Sequence, residues 1–281
     1  MRFDWSKMGR TAPAALVEVR NLAHHAAQWA TKAARANLSA ASDDSHSAFI
    51  WDTLHAALVS QVLPAKGGVV RVGIRIARLE LIVTSGNNVL DAYQFDGKTD
   101  AAAGAWIDSK LHALGLKPAS GTTLPYTLPD HPAGGRPHEL GMLGREFGEL
   151  SRWFAGPADA LEEFAAKIAG IGPGPLLCWP HHFDMATLVR LDASGGESAR
   201  SVGVGMSPGD EFYAQPYVYL NPWPRFEGSL PDLAPPGHWH TDGFFGAVIT
   251  AEDILAFEDR RRGLLSFIGG AFEIVRPRLD A

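Results

Sequence analysis

Two histidine clusters carry the residue types best suited to chemistry, His181-His182-Phe183-Asp184 and His238-Trp239-His240-Thr241-Asp242. On an extended strand, side chains two apart point to one face. His182 with Asp184, and His238 with His240 and Asp242, would then each present imidazole and carboxylate to the same side. Neutral imidazole and carboxylate suit zinc, iron or manganese, and three such ligands leave a position open for water or substrate. His182, His238, His240 and Asp242 are therefore the candidate ligands of a divalent metal. Without a metal, Asp184 would fix the tautomer of a histidine acting as general base, and His182, Asp184 and Glu211 are the catalytic candidates. Pro235-Pro236-Gly237 and Gly243 flank the second cluster and also fit a loop, in which alternation would not apply.

An aromatic stretch separates the clusters. Read as extended from Phe212 to Leu220, it places Tyr213, Gln215, Tyr217 and Tyr219 on one face, with Trp223 and Trp239 close in sequence. Tyrosine and tryptophan join apolar area to a polar tip, which suits a sugar, a nucleoside or an aromatic acid. Tyr213, Tyr217, Tyr219, Trp223 and Trp239 are the candidate substrate-binding residues, although aromatics are also ordinary core material in strands. Ser207-Pro208-Gly209-Asp210 has proline and glycine where a type II turn wants them, so Asp210 reads as a turn residue. His24-His25 falls on a helix where only one can face inward, and His55 reads as packing. Cys178 and His181 fall on opposite strand faces, which argues against a Cys-His nucleophile. Walker, dinucleotide, His-Glu-x-x-His and Gly-x-Ser-x-Gly motifs are missing from the sequence.

These residues need a scaffold, and the composition supplies one. A chain of 281 residues with 46% hydrophobic and 20% charged residues is ordinary globular material. A formal charge of −6 disfavours nucleic acid. The basic run Arg260-Arg261-Arg262 reads as a solvated helix end. One cysteine precludes an internal disulfide, and neither a signal peptide nor a membrane span is indicated; a cytoplasmic protein without membrane partners is expected.

Apolar periodicity predicts a helix from Thr11 through Trp29, a strand-like run from Ala48 to Val62, and strands over 69–76 and 79–84. A hairpin at Gly86-Asn87-Asn88 and a helix capped by Thr99 or Asp100 follow. Residues 117–137, rich in proline, glycine and threonine, read as a linker between halves at 1–116 and 138–281. The second half predicts a helix from Leu140 interrupted at Gly156-Pro157, strands over 176–191, 200–206 and 212–220, and a closing helix opened by Thr250 and Asp253, with a break at Gly263. Each half gives a helix, a strand with tryptophan (Trp51, Trp179), a Val-Gly-Ile or Val-Gly-Val strand (72–74, 202–204), a hairpin return and a helix. The expected fold class is α+β, with two related helix-plus-antiparallel-sheet halves from an internal duplication.

Trp179-Pro180-His181-His182-Phe183-Asp184, Gly205-Met206-Ser207-Pro208-Gly209-Asp210, Pro216-Tyr217-Val218-Tyr219 and Pro222-Trp223-Pro224 together resemble a bacterial family of unknown function. The likeness is clearest over residues 176–246 and implies a coherent fold; it implies no activity. The function expected from the residues is small-molecule binding, with metal-assisted hydrolysis of a small polar substrate as the chemistry. The alternative is a non-catalytic ligand-binding or protein-interaction module, with Pro-Trp-Pro as the interface.

Overall fold

A computed structural model describes residues 2–132, 135–192 and 199–280. In chain order, the elements are α1 (Val17–Asn37), β1 (Ile50–Asp52), β2 (Ala57–Val59), β3 (Leu63–Ala65), β4 (Gly68–Arg75), β5 (Glu80–Ser85), β6 (Asn88–Gln94) and α2 (Asp100–Ala113). They continue as α3 (Gly144–Lys167), β7 (Leu177–Trp179), β8 (Asp184–Arg190), β9 (Ser201–Ser207), β10 (Tyr217–Trp223), β11 (His238–His240), β12 (Gly246–Thr250), α4 (Ala251–Ala256) and α5 (Arg260–Asp280). The fold is α+β with two antiparallel sheets. The chain divides into two compact units: Ala15–Arg152 with Leu177–Phe183, and Met1–Ala14 with Trp153–Leu176 and Asp184–Ala281.

In the first unit the meander β1-β2-β4-β5-β6 is antiparallel throughout, with β3 paired to β4. Val72 and Ile74 alternate inward with Leu81 and Val83, and α1 lies against β4 and β5. Thr99 caps α2 by accepting from the Ala102 N–H. Residues 117–131 are tied to the two helices. Asn37 bonds the Lys117 backbone, Asp108 accepts from the Ala119 and Ser120 N–H groups, and Tyr126 donates to Gln28 at 2.7 Å. These bonds satisfy backbone groups that a segment without regular structure would otherwise leave to water. Residues 133–134 of the Pro-rich segment lie outside the described residues.

The second unit also carries antiparallel strands, with β8, β9, β10 and β12 in a ladder and β11 at its edge. Val202, Val204, Met206, Val218 and Leu220 face one way and are buried, and α5 packs on β9 and β10. Two places in the chain share a local form: a strand ending near a tryptophan, a short turn whose last residue is left-handed (Ala56 at φ 47°, Phe183 at φ 60°), and then the next strand.

Several expectations need correction. Thr11 does not cap α1: Pro13–Leu16 is a 3₁₀ turn and the helix proper starts at Val17. The run from 48 to 62 is two short strands around a turn, because Ala56 adopts a left-handed conformation that ends extension. Pro157 does not interrupt α3, which is continuous through it; Gly156 leaves room there for Met8 and Phe3. The break near the C-terminus falls at residues 257–259 rather than at Gly263, whose missing Cβ admits the Phe257 ring. The arginine run opens α5 and is not a solvated end: Arg260 donates to the Trp5 and Met8 carbonyls, and Arg261 pairs with Asp159 and Glu163. The Thr250/Asp253 capping box forms as expected.

The first histidine cluster is not a strand. Residues 180–183 form a turn, closed by the Phe183 N–H donating to the Trp179 carbonyl at 2.7 Å. The left-handed Phe183 removes the alternation that would have put His182 and Asp184 on one face. The turn is held from α1: His24 Nε2 and Gln28 Nε2 both donate to the Pro180 carbonyl, at 2.8 and 3.0 Å. The His24 ring stacks on Phe183 at 5.0 Å between centroids. A carbonyl only accepts, so His24 is protonated at Nε2 and Nδ1 has no proton in the neutral ring.

His24 is only 5% exposed, and burial, reinforced by nearby cationic groups, lowers its pKa from 6.5 to about 4. A base whose pKa is depressed by folding contributes stability that is present above pH 6.5 and lost as pH falls toward 4, because the unfolded chain binds the proton first. The unfolding free energy of the native chain relative to His24→Gln should fall by an amount on the order of 3 kcal/mol between pH 7 and pH 4. Urea unfolding at both pH values measures this. A difference that does not change with pH would show that His24 is not buried neutral.

Candidate functional site

The polar face of the second unit's sheet follows from register. Tyr219 stands opposite Gly205 on β9 and Val248 on β12; Gly205 stands opposite Ala186 on β8, and Val248 opposite His238 on β11. Directly paired residues share a face. Asp184, Ala186, Ser207, Gly205, Gly203, Tyr217, Tyr219, Asn221, Trp223, His238 and His240 therefore all project from the side opposite to the one α5 covers.

Gly205 determines how that face is built. A Cβ at this position would stand 2.6 Å from the Tyr219 hydroxyl, 2.7 Å from its Cζ and 2.7 Å from the Ala186 Cβ. The Tyr219 ring thus lies flat across β9, using the space a side chain would fill, and its hydroxyl donates to Asp184 at the start of β8. Burial, then the Asp184 charge and hydrogen bond, pushes the Tyr219 pKa well above its ordinary value. Tyr219 is a neutral donor locked to a carboxylate.

Tyr217 repeats the arrangement one pleat along. Its hydroxyl donates to Asp210 Oδ2 at 2.6 Å, and burial followed by Asp210 raises its pKa. Asp210 is more than a turn residue. Its Oδ1 accepts from the Phe212 and Tyr213 N–H groups at 2.9 and 3.1 Å, and its Oδ2 also accepts from Ser207 Oγ at 3.3 Å. This carboxylate folds residues 210–213 into a tight loop and points Tyr213 along the sheet.

Tyr213 is consequently not on a strand, since β10 begins only at Tyr217. Its ring nevertheless packs on Tyr217 at 4.7 Å, and its hydroxyl lies 2.9 Å from both His238 Nε2 and His240 Nδ1. The strand reading of the second cluster holds for His238 and His240, which project together from β11. His240 Nε2 donates to the Asp242 backbone carbonyl, which leaves Nδ1 as the acceptor in the neutral ring. Tyr213 then donates to His240 and accepts from His238. Phe244 stacks on His240 at 4.0 Å and Phe212 meets it edge-on at 5.2 Å, so one side of this polar group is apolar.

The predicted residues divide accordingly. Tyr213, Tyr217, Tyr219, His238 and His240 come together, with Asp184 joined to them through Tyr219. Asp242 is exposed and lies past the end of β11, outside strand alternation; its backbone rather than its carboxylate meets His240. His182 is exposed on the turn of the first unit, beside His181 at 4.3 Å. Glu211 is exposed between Asp210 and Phe212 and carries none of the hydrogen bonds described for this face. Trp239 points to the opposite side of β11, where it stacks on Phe245 at 5.5 Å and donates to the Pro231 carbonyl at 2.7 Å. Trp223 shares the tyrosine face at the far end of β10, 54% exposed.

Among the described residues, no three His, Cys, Asp or Glu side chains gather as metal ligands, and no helix is long and apolar enough to cross a membrane. Sequence reasoning missed Gly205, Phe212 and Phe244, and read Asp210 as a turn residue without its bond to Tyr217. A glycine inside a strand does signal close approach of another group, and Asp at the end of a Pro-Gly turn does signal side-chain capping of the following N–H groups.

If the Tyr219 hydroxyl is locked to Asp184, Tyr219→Phe should cost roughly 1.5–3 kcal/mol, the range for a hydrogen bond to a charged group. Gly205→Ala should cost roughly 1–3 kcal/mol by displacing the same ring. The double variant should lose less than the sum, because both changes disrupt one contact. Urea unfolding of the four proteins decides this; strict additivity would show that ring and glycine are independent. No protein-family model, no curated protein and no solved structure matches this chain.

Proposed function

We propose that the second unit binds a small polar molecule at the Tyr213 end of the tyrosine face. One observation carries the reading: three donor or acceptor groups from a loop and an edge strand, Tyr213, His238 and His240, converge at one hydroxyl beside the aromatic rings of Phe212 and Phe244. Polar tips around one point, with apolar rings beside them, are the chemistry of a site for a sugar, a nucleoside or an aromatic acid. Support also comes from Gly203 on the same face, where an added Cβ would meet nothing nearer than 3.7 Å. The neutral tyrosines and their carboxylates give the site a fixed set of hydrogen-bonding groups, which lowers the cost of ordering on binding.

Metal-assisted hydrolysis of the bound molecule is the second reading. It is favoured by the two imidazoles and the phenol meeting at a single point. Binding without chemistry is the alternative.

The test is a thermal-shift screen of the metal-free full chain against sugars, nucleosides and aromatic acids. A true ligand at about 100 times its Kd adds roughly 2.7 kcal/mol, a rise in Tm of about 5 °C for a chain of this size. Phe212, 40% exposed beside His240, is the diagnostic position: Phe212→Ala should abolish most of the shift. A screen without saturable hits, or hits that stabilise both proteins equally, would remove the proposal.

A further inference from the structure

We infer that Tyr213, His238 and His240 form a three-ligand site for a first-row divalent transition metal, with the Tyr213 phenolate as the third ligand. The inference deepens the reading of the Tyr213 end of the face as the functional site, and it replaces Asp242 and His182 as the partners of the two histidines.

Geometry carries it. The Tyr213 hydroxyl oxygen stands 2.9 Å from His238 Nε2 and 2.9 Å from His240 Nδ1. Ligand atoms that each lie about 2.0–2.1 Å from one ion and subtend a right angle, as at a tetragonal centre, are themselves about 2.9 Å apart, so each imidazole nitrogen is spaced from the phenol oxygen as a neighbouring ligand would be. The two histidines hold their places because they are two residues apart on β11, which is in register with β12. Tyr213 holds its place because Asp210 accepts from its N–H at 3.1 Å and the Asp210 N–H donates to its carbonyl at 2.8 Å.

The surroundings have the features of a metal site. His240 gives its other ring N–H to the Asp242 carbonyl, the outer bond that fixes a metal-binding histidine in its tautomer. Phe244 and Phe212 supply an apolar wall against the same ring. His238 is exposed at the sheet edge, which gives an ion a path in and leaves coordination positions for water or for the polar molecule proposed above. Two imidazoles and one anionic oxygen at right-angle spacing suit copper(II), which also binds such ligands more tightly than zinc(II) in vitro; tetrahedral zinc(II) takes the same ligand types once the atoms part by a few tenths of an ångström.

The Tyr213 O–H bond breaks, the oxygen–metal bond forms from the oxygen lone pair, and one proton leaves to solvent. His238 carries its ring proton on Nδ1 in the loaded state so that Nε2 can bind. No electron changes hands. Affinity therefore rises with pH.

The experiment uses the untagged, chelator-treated full chain. Copper(II) is titrated while visible absorption and electron paramagnetic resonance are followed, and zinc(II) is titrated by calorimetry in two buffers of different ionisation enthalpy. The expected result is one equivalent of tight binding, a phenolate-to-copper charge-transfer band, and net proton release on zinc binding. Tyr213→Phe should abolish the band and weaken binding, and His238→Ala and His240→Ala should each weaken it by at least roughly 10–100-fold, the loss seen even for outer-shell partners. His112→Ala, an exposed histidine on α2, should change nothing. Circular dichroism and Tm verify that each variant folds; if a histidine variant does not, Tyr213→Phe decides alone. Failure of the folded chain to bind one equivalent, or binding that Tyr213→Phe leaves unchanged in affinity and colour, would overturn the inference. Such a failure is separable from failure of the small-molecule reading, because the thermal-shift hits are scored on metal-free protein.

Discussion

The hydrogen bond from Tyr219 to Asp184, laid across Gly205, is the constraint from which the polar face of the second sheet takes its form. It spans three strands, from β10 over β9 to β8. The enclosed Tyr219 hydroxyl needs an acceptor, and the half-buried Asp184 beside it supplies one carboxylate oxygen. The missing side chain at Gly205 lets the ring lie flat. With Tyr219 flat, Tyr217 stands beside it at 6.0 Å and turns its hydroxyl to Asp210. Asp210 in turn shapes the loop that delivers Tyr213 to His238 and His240. One half-buried pair thereby connects, through neighbouring side chains, to an exposed group at the sheet edge.

The face combines stiffness inside with access outside. Tyr217 is buried and its phenol is held neutral by burial and by Asp210, whereas His238 is exposed. A gradient of this kind suits recognition: the inner groups are already ordered before anything binds, and the outer groups meet solvent and ligand. The first unit is also an antiparallel meander, and of the two left-handed turns, at 180–183 and at 53–56, the latter is used differently. There His55 is buried, with Nδ1 2.7 Å from Asp52, and the pair closes the turn from within. Across the two turns, Phe183 and Ala56 play the same backbone role while their neighbouring histidines do different work.

Much of this was legible in the sequence where local chemistry and tertiary structure agree. The β-branched alternation of Val69 to Ile76, the Gly86-Asn87 hairpin, the Thr99 cap and the Thr250/Asp253 box each specify one local conformation, and each formed. His238 and His240 were legible for the same reason, since a short strand keeps alternation. The turn at 180–183 was not, because nothing in Trp-Pro-His-His-Phe-Asp forces Phe183 to a positive φ; contacts from His24 and Gln28, more than 150 residues away, fix it. Tyr213 was placed on the right face for the wrong reason: a side-chain cap from Asp210, and not the pleat, aims it. Trp239 shows the converse, an aromatic residue beside the site in sequence whose position on the strand sends it to the other side.

The central claim is that Tyr217, buried, and Tyr219, half-buried with its hydroxyl enclosed, are neutral donors locked to Asp210 and Asp184, and that this lock organises the site. Nuclear magnetic resonance of the chain labelled with ¹³C at tyrosine Cζ, titrated upward in pH with resonances assigned by Tyr→Phe variants, tests it directly. The account predicts that the Tyr217 and Tyr219 signals stay at their neutral shifts past the ordinary phenol value of 10.0 for as long as the protein remains folded. Ionisation of Tyr219 near its ordinary value in the folded protein would mean that the ring is not sealed against Asp184, and the account of the face would fall with it.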